Sequence, residues 1–258
     1  MNRKLWSVLA AVCALAIVWA VPARGQMSEV KEKAPMYSYV SFWNLPRAQW
    51  AEMAKSEASD REILDKAIAS GTIVGYGHDT NLVHQPDQDT HDEWWSATSM
   101  AGLLNVLEQF YKSGSASTPV LQSAHKHWDN IFVSRFYNWH AGSWKGVYTH
   151  GSLYKLKADA PNDAVERLSK TVFVPFFERL LADGTIHEYE IDTEAIHTMD
   201  PGAFYVFYIA ASGEALDKVN AALRDSLHAN PLIGPAFGSV VDYTAHRDYL
   251  VRSNATYK

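Results

Sequence analysis

Residues 71–84 read Gly-Thr-Ile-Val-Gly-Tyr-Gly-His-Asp-Thr-Asn-Leu-Val-His, and residues 184–197 read Gly-Thr-Ile-His-Glu-Tyr-Glu-Ile-Asp-Thr-Glu-Ala-Ile-His. A constant offset of 113 aligns Gly71/Gly184, Thr72/Thr185, Ile73/Ile186, Tyr76/Tyr189, Asp79/Asp192, Thr80/Thr193 and His84/His197 without a gap, and carries on to Ser99/Ser212. Self-similarity at a fixed spacing indicates a repeated structural unit.

Working outward, each copy reads strand, helix, strand, strand, helix, strand. In the first, the aromatic and β-branched run 36–43 predicts a strand, and Pro46 opens a helical stretch to Ser70. Ser59-Asp60-Arg61-Glu62 has the form of a capping box that restarts that helix. Gly71 ends it, strands follow over 72–78 and 93–98, and Ser99 caps a helix with the stripe Met100, Leu103, Leu104, Leu107, Phe110 and Tyr111. A Ser/Gly/Thr-rich loop at 113–118 leads to a fourth strand over 130–137. The second copy predicts a strand over 147–156, a helix from Pro161 interrupted at Pro175 and ended by Gly184, and strands over 185–191 and 203–211. A helix from Ser212 and a closing strand over 237–244 complete it.

The β-α-β-β-α-β order is the ferredoxin-like unit, with two helices on one face of a four-stranded antiparallel sheet. The expected fold is α+β: two tandem ferredoxin-like repeats, 26–140 and 147–250, with their sheets packed face to face around a central cavity. Residues 251–258 are read as a C-terminal tail.

This layout resembles the dimeric α/β-barrel superfamily in fused form. The group includes antibiotic-biosynthesis monooxygenases, EthD-like and NIPSNAP-like proteins, haem-degrading monooxygenases and muconolactone isomerases. The resemblance covers about residues 36–250 and rests on element order and on the helix-Gly-Thr-Ile-strand junctions. It implies a ligand-sized cavity between the sheets and, for an enzyme, cofactor-free oxygenation or isomerisation. Haem-degrading members use an Asn, a Trp and a His on the second helix. Asn44 and Trp94 or Trp95 are loose counterparts here, but 100–112 contains no histidine.

Arg3 and Lys4 precede an apolar run from Leu5 to Val21, and Pro22 precedes Ala23-Arg24-Gly25. That is the layout of a secretory signal over 1–25, leaving a periplasmic or secreted product with no membrane association after cleavage. The single cysteine, Cys13, lies in this run. The remaining chain has neither a disulfide nor a thiolate nucleophile. It carries 20 basic against 29 acidic residues, a net charge of −9 that disfavours nucleic acid.

Candidate chemistry comes in three sets. Tyr76 and His78 share a strand face, as do His187 and Tyr189, and a His–Tyr pair beside a cavity suits proton transfer on a phenolic or enolisable ligand. The opposite face carries Glu188, Glu190 and Asp192 and reads as the wetter one. That leaves the Tyr76/Tyr189 face buried, either in the cavity or against the helices. Trp94 and Trp95 are adjacent, so one of them faces the cavity. With Tyr208, Tyr137 and Tyr243 they form a candidate aromatic wall for a small aromatic or apolar molecule. Tyr137 and Tyr243 also head a Tyr-x-x-His echo at the expected fourth-strand ends, with His140 and His246. Finally, His84, His91 and His197 lie in polar segments that offer nitrogen and oxygen ligands to a metal, or else form solvated loops in which Asp79 and Asp192 make turns. No bound cofactor is expected. A non-catalytic cell-envelope binding module is the competing class, and the oligomeric state is open.

Overall fold

A period of two sets the strands. In β1 (Met36–Asn44), Ser38, Val40 and Phe42 share one face, and Tyr37 and Tyr39 share the other. Alternation continues through β2 (Gly75–Asn81), β3 (His91–Ala97), β4 (Lys126–Trp139), β5 (Gly142–Lys155), β6 (Ile186–Glu194), β7 (Ala203–Ala210) and β8 (Arg247–Tyr257). The computed structural model describes residues 30–85, 87–198 and 201–258; the expected signal segment lies outside them. Among the described residues these eight strands close into a barrel in the order β1-β3-β2-β8-β5-β7-β6-β4, every pair antiparallel. Residues Glu32–Lys258 form one compact unit.

The N-terminal half supplies the run β4-β1-β3-β2 and the C-terminal half the run β8-β5-β7-β6. Two seams join them, β2 with β8 and β4 with β6. The expected face-to-face packing of two open sheets is therefore corrected. Backbone hydrogen bonding continues across both seams, so neither half keeps an exposed sheet edge.

Helices cover the outside. They are α1 (Trp50–Ala69), α2 (Met100–Ser113), α3 (Pro119–Gln122), α4 (Ala164–Leu168), α5 (Val174–Ala182), α6 (Gly213–Ala229) and α7 (Ile233–Val240). Ser99 Oγ accepts from Gly102 N at 3.1 Å and Ser212 Oγ from Ala215 N at 3.2 Å, capping α2 and α6 as the sequence predicts. Gly71 and Gly184 both adopt φ of +75° just beyond α1 and α5, a conformation that favours glycine. The outward faces of β1, β2 and β3 pack Tyr39, Tyr76, Trp95 and Ala97 against Leu64 and Ala67 of α1 and Leu103, Val106 and Phe110 of α2.

Several expectations are corrected. α1 runs unbroken through Ser59, whose Oγ bonds back to Ser56 O at 2.7 Å instead of capping a new helix. Leu104 and Tyr111, placed on the buried stripe of α2, are exposed, while Val106 is buried. Residues 237–244 form no strand: Ile233–Val240 is helical and Tyr243–Ala245 is a short turn of 3₁₀ helix. Pro235 falls in the first turn of α7, where no intrahelical N–H is needed. The closing strand is β8, which takes up the segment read as a tail. The interruption before Pro175 is real and takes the form of a π-helical turn, Ser169–Phe173, between α4 and α5.

Candidate functional site

The barrel encloses a cavity of about 420 Å³. Its wall is the inward face of every strand: Val40 and Phe42, Asp79 and Asn81, Asp92 and Trp94, Trp128 and Phe132, Thr149, Glu188 and Glu190, Tyr205 and Phe207, and Val251 and Tyr257 among them. Lys126 and Asp87, paired at 3.1 Å and solvent-accessible, mark the mouth. At the far end Tyr257 lies between Trp94 and Trp139, with ring centroids 5.5 and 5.2 Å away. Two glycines make room for the aromatic wall. A Cβ at Gly77 would sit 2.5 Å from the Trp94 ring, and one at Gly151 2.5 Å from Phe207.

Carboxyl groups are set among these rings. Asp79 and Asp92 face each other across β2 and β3. Glu188, Glu190 and Asp192 follow one another at two-residue spacing along β6. Asp79, Asp92, Glu188 and Asp192 are buried, and Asp79 Oδ1, Glu188 Oε1, Glu190 Oε2 and both Asp192 oxygens have no hydrogen-bond partner. Trp94 Nε1 donates to Asp79 Oδ2 at 3.3 Å.

Burial is the largest influence on all five and favours their neutral forms. It raises Asp79 to about 6, against stabilising hydrogen bonds from Ser253, Asp92 and Trp94. It raises Glu190 to about 7, against a smaller opposing influence of the neighbouring Asp192 and Ser38. Asp92, Glu188 and Asp192 are pushed well above the carboxylate range by burial and then by neighbouring carboxylates: Asp79 and Asp89 beside Asp92, Glu190 and Asp192 beside Glu188, and Glu190 beside Asp192. Each of the two groups that titrate near neutrality has a second carboxyl beside it: Asp92 opposite Asp79 across β2 and β3, and Asp192 two residues from Glu190 on the same face of β6. A carboxylate that titrates near neutrality beside a ligand-sized space is suited to general-base work.

The expected catalytic quartet points the other way. Tyr76 and His78 lie on the outward face of β2. Tyr76 O–H donates to Asp65 on α1 at 2.5 Å, and His78 Nε2 bonds Glu93 Oε1 at 3.0 Å. Tyr189 O–H donates to Glu178 on α5 at 2.6 Å. His187 occupies the bulge of β6 and stacks on Trp144, with centroids 4.3 Å apart. None of the four lines the cavity. Of the aromatic set, Trp94 faces the ligand space and Trp95 the helices, stacked on Tyr39 at 4.5 Å with its Nε1 donating to Leu103 O. Tyr208 packs outward on His150 and Phe177. Tyr137 donates its hydroxyl proton to Ala34 O, and Tyr243 is exposed on a helical turn, so the Tyr-x-x-His echo does not mark two strand ends. His84 and His91 both lie against the Trp50 ring, and His197 is exposed beyond β6. Among the described residues, no group of three or more His, Cys, Asp or Glu is placed to hold a metal ion.

Neither family models nor curated proteins match the sequence. Solved structures do match its shape. A protein from Lactobacillus acidophilus described as a "putative monooxygenase" superimposes with a TM-score of 0.59 at 10% identity, covering 87% of this chain and 97% of its own. A protein of the same description from Fusobacterium nucleatum gives 0.58 at 9% identity, covering 88% and 95%. An anthrone oxidase-like protein gives 0.54 at 10% identity, covering 88% and 94%. The fold is that of the dimeric α/β barrel.

In this dimeric α/β barrel the inward carboxyls are the functional candidates that sequence reasoning passed over. Their signal was present. Glu188, Glu190 and Asp192 mark one strand face, and Asp79 and Asp192 recur at the repeat offset. Acidic alternation ordinarily marks a solvated face, and here that face lines the barrel interior.

Proposed function

We propose that this chain is an exported enzyme built from two tandem ferredoxin-like repeats, which binds a small aromatic or apolar molecule inside the barrel and oxygenates it without a bound cofactor. The observation that carries this reading is the set of unpartnered, buried carboxyl oxygens facing an aromatic-lined cavity of about 420 Å³. The descriptions of the structural neighbours, two as monooxygenases and one as anthrone oxidase-like, support the choice of reaction class.

In the proposed step Asp79 or Glu190 takes a proton from an enolisable or phenolic carbon acid. The resulting enolate gives its electrons to dioxygen, and the peroxide formed loses water. A methylene thereby becomes a carbonyl, with one oxygen atom retained and the other released as water. Trp94, Phe207 and Tyr257 hold the ring system, and Asp92 and Asp192 stand beside the two bases. Proton transfer thus belongs to the inward face of the barrel; Tyr76 and Tyr189 tie strands to helices, and His78 ties β2 to β3.

Oxygen uptake with anthrone and with simple phenols tests this. Asp79→Asn and Glu190→Gln, or the two combined, are expected to lower kcat about 100-fold or more, the usual worth of a general base. The wild-type rate is expected to rise between about pH 6 and 7 as these groups ionise. Undiminished turnover in the double variant would remove the proposal.

A further inference from the structure

Glu188 is 2% exposed, borders the cavity beside Ile209 and Tyr257, and leaves Oε1 without a partner. Asp79, 4% exposed, presents Oδ1 in the same state. Six carboxyl side chains border the cavity: Asp79, Asp87, Asp89, Asp92, Glu188 and Glu190. Among the described lining residues the basic counterpart is Lys126, held at the mouth by Asp87. Buried carboxylates of one sign are costly unless protons or a cation neutralise them. The described residues offer no grouping suited to a metal ion. They do offer aromatic surfaces, Trp94 and Tyr257, next to the acids, and such faces attract organic cations.

We propose that the ligand of this barrel is an arylalkylamine in its protonated form, its ammonium seated between Glu188 and Asp79 and its ring against Trp94 and Tyr257. An ammonium brings three donors to oxygens that lack partners, and its charge replaces the proton that keeps Glu188 neutral. Binding therefore expels protons. This inference rests on the barrel interior being the binding site, and it names the substrate class of that site.

Tryptamine and tryptophol test it, because they share one ring system and differ in carrying an ammonium or a hydroxyl. Titration calorimetry of the full chain near pH 7, in two buffers of different ionisation heat, is expected to show tryptamine binding about 10-fold tighter or more, with net proton release. In Glu188→Gln and in Asp79→Asn, each checked for native near-ultraviolet dichroism, the preference for tryptamine is expected to shrink toward unity. Tryptophol binding as tightly as tryptamine overturns the inference and leaves the aromatic-binding reading standing. So does binding of 2-naphthol with neither indole bound, and so does an unchanged preference in both variants. Failure of all three probes to bind removes both.

Discussion

Trp94 and Trp95 are neighbours in sequence and occupy different environments. Trp95 is 2% exposed in the layer between sheet and helices, with its indole N–H satisfied by Leu103 O. Trp95→Ala should cost about 3–5 kcal/mol, the usual loss for a large buried aromatic, and should show as an earlier denaturant midpoint. Trp94→Ala should cost less stability, because its ring borders the cavity, and more ligand affinity, because that ring is part of the wall. A fluorescence titration of both variants with one aromatic probe separates the two effects. Gly77→Ala probes the same wall from beneath. The added methyl would meet the Trp94 ring at 2.5 Å, so the indole must move, at about 1–3 kcal/mol and with a change in binding.

At the scale of the element, β8 shows where the sequence was hard to read. Its inward residues are Tyr249, Val251, Ser253, Ala255 and Tyr257, too mixed in polarity to announce a buried face, while Phe237 and Val240–Val241 nearby look more strand-like and are largely helical. The register of β2 with β8 and of β5 with β8 nevertheless makes this strand the hinge between the halves. Deleting 251–258 should open the barrel at that seam, with loss of soluble, cooperatively melting protein in a dichroism scan. Other elements were plain because local chemistry and tertiary fold agree. Ser99 and Ser212 cap helices, Gly71 and Gly184 end them, and the repeated Gly-Thr-Ile places a strand after each. The residues of β6 by themselves point to the opposite facing. A strand with Glu188, Glu190 and Asp192 on one side and Tyr189 and Ile191 on the other normally turns its acids to water. Closure of the barrel encloses that side.

For the whole molecule, closure fixes a pH dependence. Five inward carboxyls have folded-state pKa values above their ordinary range, so the folded chain binds more protons than the unfolded one. Stability is then fully present below about pH 4 for these groups and is lost as pH rises through about 6 for Asp79 and about 7 for Glu190. The unliganded protein should melt at a lower temperature at pH 8 than at pH 5. Glu57, on α1, is raised to about 7 by burial and acts in the same sense. The double variant Asp79→Asn, Glu190→Gln should flatten the curve, and a wild type more stable at pH 8 would contradict this proton count.

The most direct measurement exchanges the two faces of the barrel under one assay. Oxygen uptake on anthrone is compared between an inward variant, Asp79→Asn with Glu190→Gln, and an outward variant, His78→Gln with Tyr189→Phe, each confirmed folded by its melt. The inward pair should abolish turnover, and the outward pair should lower the melting temperature and retain the rate per folded molecule. Loss of turnover in the outward pair, with the inward pair active, would place the chemistry outside the barrel.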